Sequence, residues 1–284
     1  MYKSTNEVKK RCAMPLTDIE QGSAKARRLL AAGLFAIIIL GLASFVSAIQ
    51  PFGASVTEIR SERAPADAPT SDGAFAGNVT ELTITGFSPT QAWQGYFGNV
   101  SGTIQLADAN DNVMYNWSLA NPQGEVYAST NSTISWTNVQ CFNFTADGTF
   151  AGGETPGATN LHGTNLSVLE SSFGMRSDDV DGVNETFGFT ISHDLFYTAN
   201  LQFSAGECLA TAIYDSTGQS VSTNFQEVIL YEPTTSSVIW TSILEEASVL
   251  GFDGNDYDFE MIVPEDGHAT DTSTTTYYFF VELE

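Results

Sequence analysis

The chain reads as all-β: a large antiparallel β-sandwich of about eleven strands, carried behind one N-terminal transmembrane helix. Three observations lead there. Apolar and polar residues alternate with period two from Glu81 onward, as in strands with one face buried. Clusters of Asp, Asn, Gly and Pro divide the alternating runs, and each of these residues favours a turn for its own backbone reason. Ahead of them lies Leu29–Val46, LLAAGLFAIIILGLASFV, eighteen residues without a charge that follow directly on Lys25, Arg27 and Arg28.

A helical run of that length crosses a hydrocarbon core of about 30 Å. Seven of the ten basic residues precede it (Lys3, Lys9, Lys10, Arg11, Lys25, Arg27 and Arg28), and three follow (Arg60, Arg63 and Arg176). Basic flanks stay on the cytoplasmic side, so the expectation is a single-pass protein of the cell membrane with its N-terminus inside and its bulk outside. Val46-Ser47-Ala48 also suits a signal peptidase, but the basic lead and the apolar run are both long for a cleaved signal. The reading is therefore a cytoplasmic tail (1–28), a retained signal-anchor (29–48), a flexible stalk (49–77) and an extracellular domain (78–284).

The part beyond Ala48 carries 31 acidic residues against three basic ones, a formal charge of −28, and no lysine. Such a surface repels nucleic acid and anionic headgroups, which excludes both as partners. The membrane is met through the helix alone, leaving other surface proteins or glycans as partners. Ser and Thr number 52 in the same stretch, so neutral hydroxyls outnumber the acids. Cys12 falls on the inner side as a free thiol. Cys141 and Cys208 are both outside, where a disulfide persists; joined, they close a loop of about 68 residues and stabilise the fold by roughly 4 kcal/mol.

Taken in order, the stalk contains Pro51, Pro65 and Pro69 and no alternation; as a flexible chain it spans about 30 Å. Leu82 and Ile84 alternate with Glu81, Thr83 and Thr85. Val100, Gly102, Ile104 and Leu106 alternate with Ser101, Thr103 and Gln105, and Val113, Tyr115, Trp117 and Leu119 with Met114, Asn116 and Ser118. Ile134 and Trp136 alternate with Thr133 and Ser135. Asp108–Asn112 and Asn121–Gly124 supply turns, so 79–137 predicts a meander. Gly and Thr crowd the stretch that follows. A short helix capped by Thr164 or Asn165 makes 146–186 a loop or helical insertion. Further strands are expected at 187–191, 198–204, 208–214, 225–231, 237–244, 256–263 and 274–283. In the last, Tyr277, Phe279, Val281 and Leu283 share one face and Tyr278 and Phe280 the other, so both faces are apolar and the strand belongs inside a sheet.

Seven Asn-X-Ser/Thr acceptors begin at Asn78, Asn99, Asn116, Asn131, Asn143, Asn165 and Asn184, and N-glycosylation is expected at several. Asn116 and Asn131 share parity with wet-face residues of their strands, the direction a glycan needs. Hard oxygen donors gather in Asp253-Gly254-Asn255-Asp256-Tyr257-Asp258-Phe259-Glu260. Asp253, Asn255, Asp256, Asp258 and Glu260 make this the best candidate for Ca²⁺, which takes roughly six to eight oxygens. Tyr257 breaks the EF-hand pattern, and an Asp-Gly turn feeding a strand accounts for the same residues. Asp108, Asn110 and Asp111 form a weaker candidate. His162, His193 and His268 are scattered and read as surface residues. No nucleophile elbow, zinc-binding His pair or phosphate loop is present in the sequence, so no catalytic residue is assigned.

The run TQAWQGYFGNVSGTIQLADANDNVMYNWSLANPQGEVYAS (90–129), with FQEVILYE, GFDGNDYDFEM and DTSTTTYYFFVEL, resembles a group of archaeal surface proteins of unassigned function. The likeness takes in most of the exported part and implies an outward-facing, glycosylated, β-rich protein, with no catalytic residues. The functional expectation is a non-catalytic cell-surface glycoprotein with a structural or adhesive role in the envelope. A pilin-like filament subunit is the first alternative, since a basic N-terminus, an apolar helix and a β-rich head fit both. A carbohydrate-binding module or hydrolase is the second, with Trp93, Tyr96 and Phe97 stacking on sugar rings.

Overall fold

A strand running through the middle of a sheet must bury apolar side chains on both faces, and the C-terminal strand does so. The computed structural model describes residues 50–119, 121–142, 166–188, 192–221, 223–247, 249–266 and 274–284, all within a unit that runs from Ile49 to Glu284. The apolar run, Cys12, Asn143, Asn165, His162, His268 and residues 146–165 of the 146–186 insertion lie outside the described residues. Among those residues, no helix is long and apolar enough to cross a membrane.

Strands β1 (Phe52–Gly53), β2 (Trp93–Gly98), β3 (Thr103–Ala107), β4 (Val113–Ser118), β5 (Gly124–Ser129) and β6 (Gln140–Cys141) come first. Helices α1 (Leu166–Ser172) and α2 (Val183–Thr186) follow. After them come β7 (Phe196–Thr198), β8 (Leu201–Phe203), β9 (Ala210–Ala212), β10 (Gln226–Glu232), β11 (Ser237–Ile243), β12 (Val249–Leu250), β13 (Asp256–Tyr257), β14 (Phe259–Pro264) and β15 (Tyr278–Leu283). The all-β class is therefore correct, though the strands are shorter and more numerous than the alternation implied. Seven form one antiparallel sheet in the order β1-β15-β5-β11-β10-β6, with β9 also on the outer edge of β10. The others pair in twos: β2 with β14, β3 with β4, β7 with β8, and β12 with β13.

The register sorts the sheet's side chains into two cores. Phe279, Ala128, Trp240 and Ile229 stand in one row across β15, β5, β11 and β10. Together with Val126, Tyr231 and Val281 they face a core completed by Met261 and Val263 of β14, by Leu166 and Leu169 of α1, and by Phe187. Phe280, Tyr127 and Val228 belong to the opposite face with Leu230 and Ile239; Phe196 and Phe203 of the β7–β8 hairpin cover them, beside Trp136. Tyr277, Phe279, Val281 and Leu283 share the first core while Phe280 enters the second, as the parity of the C-terminal strand requires. Between β5 and β1, β15 is the strand that brings the chain's end into both cores.

Cys141 and Cys208 are joined by a disulfide, Cα–Cα 5.0 Å. It links β6 to the segment entering β9, two short strands that share the same edge of β10. The α1 helix ends in a Schellman motif: Met175 N donates to Glu170 O at 3.0 Å and Gly174 N to Ser171 O at 3.2 Å. Gly174 takes φ +71° there, a conformation that is free of strain only for glycine. At the start of β5, Gly124 has φ +118° and a Cβ would collide with the Glu282 backbone.

Four local expectations fail. Residues 198–204, read as one strand, instead hold the turn between β7 and β8, which pair antiparallel. The segment 81–85 forms no strand, and Leu82 and Ile84 are 59% and 86% exposed. Residues 133–136 form a loop entering a 3-10 turn at Trp136–Asn138, because the buried Trp136 ring packs against Tyr127 and Phe280 and a strand ladder would not deliver it there. The stretch read as a featureless stalk begins with β1, where Phe52 pairs with Val281; beyond it, Arg60 meets Asp253 at 3.1 Å.

Replacing Cys141 or Cys208 by Ala should lower unfolding stability by about 4 kcal/mol in oxidising buffer, with wild type and variant converging once thiols are reduced. Equal stability in both buffers would contradict the role given to the bridge.

Candidate functional site

Several groups able to transfer protons are buried inside the molecule. Glu125 and Glu282 are directly opposed across β5 and β15, and each is 3% exposed. The Tyr127 hydroxyl lies between them, 3.1 Å from Glu282 Oε2, 3.3 Å from Glu125 Oε2 and 3.2 Å from Thr198 Oγ1. Both Glu282 oxygens accept from Ala199 N, at 3.0 and 2.8 Å. Ala199 turns the β7–β8 hairpin at φ +56°, a left-handed conformation that disfavours a side chain, and the carboxyl holds it there. Burial, then the neighbouring Glu282 and Glu284, pushes Glu125 up to about 9. Burial also raises Glu282 and Tyr127.

The other face holds two more buried acids. Glu227 accepts from Ile262 N at 2.8 Å, its second oxygen has no hydrogen-bond partner among the described residues, and burial drives it well above the usual carboxyl value. Glu260 accepts from Phe252 N at 2.9 Å and burial pushes it up to about 7. His193 corrects the surface reading, being fully buried. Its Nε2 accepts from Cys208 N at 2.9 Å and its Nδ1 lies 2.7 Å from Asp194 O, so the proton is on Nδ1. Burial lowers its pKa, against the raising effect of that bond. The adjacent pair His193-Asp194 thus joins ring to backbone carbonyl, and it orders the chain beside the disulfide.

The residues proposed for calcium have divergent partners. Asp253 takes Arg60 and the Tyr257 hydroxyl, the latter at 2.9 Å, and Asn255 N donates to it. Asp258 accepts from Val100 N at 2.7 Å, Asp256 pairs with Leu250 in β13, and Glu260 is turned inward. In the weaker candidate, Asp108 accepts from Asn110 N and Asn112 N at 2.9 Å each, closing the β3–β4 turn. Among the described residues, no group of three His, Cys, Asp or Glu assembles for a metal ion. The aromatic trio is also in use. Trp93 packs against Phe187 and Trp240 and donates from Nε1 to Asp181 O at 2.6 Å. Tyr96 meets Phe279, and Phe97 meets Phe252 and Tyr257.

Asn78, Asn99, Asn116 and Asn184 are exposed, while Asn131 is half-buried with Nδ2 donating to Ser237 Oγ at 2.9 Å. Asn116 pairs with Gln105 on the polar face of the β3–β4 ribbon. The ribbon's other face is what the sequence reading missed. Ile104 lies opposite Trp117 and Leu106 opposite Tyr115, with Val113 beyond a bulge, and among the described residues this face is left open: Leu106, Tyr115 and Trp117 are 52%, 60% and 50% exposed. The alternation was visible in sequence, but it assigned this face to a core. No protein-family model matches the chain, and no curated protein or solved structure matches it.

Glu125 has a folded-state pKa near 9 against 4.5 when free, so the folded state holds a proton that the unfolded chain has released. Its contribution is fully present below the free value and is lost as pH rises toward 9. Denaturation midpoints should therefore fall between pH 5 and 9, less steeply in Glu125→Gln than in wild type. Parallel slopes would show that Glu125 ionises freely in the fold.

Proposed function

We propose that this chain is a non-catalytic, N-glycosylated cell-surface protein, anchored by its N-terminal helix and serving a structural or adhesive role in the envelope. The disulfide between Cys141 and Cys208 carries the reading, because such bonds persist on the oxidising side of a membrane and the basic flank of the apolar run directs the domain to that side. Exposed acceptors at Asn78, Asn99, Asn116 and Asn184 support it, as does the likeness of residues 90–129 to archaeal surface proteins. The proton-transferring groups described above are all closed off in the two cores, which favours a presenting surface over a reacting one. In this reading the β2–β14 pair is the second layer of a sandwich laid over the seven-stranded sheet. A filament subunit is the second reading, favoured by the uncovered apolar face of β3–β4 and the unpaired stretch before β2.

Protease added to whole cells should remove the domain and leave a membrane-bound N-terminal fragment, and mass spectrometry of the released peptides should find glycan at Asn116. An untouched, unmodified protein in the cytosolic fraction would overturn the proposal.

A further inference from the structure

Two parts of this chain are each half of a β-structure. The first is the β3–β4 ribbon: neither outer edge is paired among the described residues, and one face is apolar throughout. A two-stranded ribbon with no covered face is marginal in water, and its free edges are templates for a further strand. The second is Val79–Phe87. It forms neither helix nor strand and makes no backbone hydrogen bond among the described residues, yet its sequence alternates like a strand, with Leu82 and Ile84 on one parity and Glu81, Thr83 and Thr85 on the other.

The two are not paired with each other within one copy among the described residues. Residues 79–87 precede β2 at its Trp93 end, whereas the ribbon follows its Gly98 end. Charge argues for the same chain as partner. A domain with 31 acids and three bases repels its own copies, and contact is tolerable only where acids are missing. From Leu82 to Ala107 there is no charged residue, and β4 has none. The segment, whose one charge, Glu81, lies on the parity opposite to Leu82 and Ile84, and the ribbon are thus among the stretches where a second copy can approach.

We infer that Val79–Phe87 of one copy adds as a third strand to the free edge of β4 in a second copy. Leu82 and Ile84 then stand beside Tyr115 and Trp117, aliphatic against aromatic, the pairing that stabilises neighbouring strands; backbone bonds supply the affinity and the alternating side chains set the register. Because donor segment and acceptor edge lie at opposite ends of β2, the contact is head-to-tail, and it either closes a ring or runs on as a filament. The pairing does not depend on which side of a membrane the domain occupies.

The test uses the full-length chain in detergent. Unlabelled protein with p-benzoylphenylalanine in place of Ile84 is mixed with ¹⁵N-labelled wild type, irradiated, digested and mapped. The expected product joins position 84 of the unlabelled chain to Val113–Ser118 of the labelled one. Products confined to one chain would make the segment a strand of its own ribbon, and products elsewhere or none would leave the face to a different protein or a sugar; each of these outcomes overturns the inference. Trp117→Asp in the labelled chain, at an exposed position, should reduce the product about tenfold with the disulfide still formed, whereas Val180→Ser should leave it unchanged. An undiminished yield with Trp117→Asp would overturn the inference equally.

Discussion

The pairing of β15 with β5 is the constraint from which the rest of the domain follows. It runs from Tyr278 opposite Ser129 to Leu283 opposite Gly124, and it decides which side chains of the last strand enter which core. Phe279 and Val281 extend the row of Trp240 and Ile229, while Phe280 closes the other side over Tyr127 and Trp136. A slip of one residue would exchange the two sets and direct Glu282 toward Met261 and Trp240, away from the Ala199 N–H and Tyr127 hydroxyl that it bonds. The tight approach at Gly124 and the Glu282 clamp on Ala199 both oppose such a slip. β1, the N-terminal end of the described chain, finds its place only once β15 is there.

That geometry creates an electrostatic problem that an acidic domain without lysine must solve unaided. Glu125, Glu227, Glu260 and Glu282 are all buried, and among the described residues the ion pairs of Arg60 and Arg176 are with Glu62, Asp253, Asp178 and Asp179 at the periphery. No cation therefore faces the buried carboxyls. They are accommodated by hydroxyls and by backbone N–H groups, and burial raises their pKa values, which favours the protonated form. The arrangement makes the sheet responsive to alkali, because burial pushes Glu125 up to about 9 and Glu260 up to about 7 and raises Glu227 and Glu282 as well.

Much of this was legible in the residues. Period-two alternation located β10, β11, β14 and β15, and the double apolar parity of Tyr277–Leu283 indicated a strand inside a sheet. The separation of Cys141 from its partner is 67 residues, so no local pattern links the two; only their shared position outside the apolar run did. Alternation could not tell a half-buried strand from one with an apolar face left bare, and that is where the reading of 81–85 and of β3–β4 went astray: the same pattern serves a core within one chain or a contact between two. The buried acids left a fainter signal. Glu227 shares parity with Ile229 and Tyr231, and Glu282 with Phe280, so a charge stood at an inward position of an apolar strand. Likewise, the oxygen-rich residues 253–260 read as a metal loop, whereas the carboxylates of Asp253, Asp258 and Glu260 each take different protein partners.

If β15 is the strand on which both cores close, it should open only with the whole domain. Hydrogen exchange of the native protein measures this directly. Backbone amides of Phe279–Glu282 should exchange as slowly as those of Val228–Leu230 and Ile239–Thr241, with the same response to added denaturant. Early exchange of β15 while β10 and β11 stay protected would mark it as a frayed terminus and contradict the account.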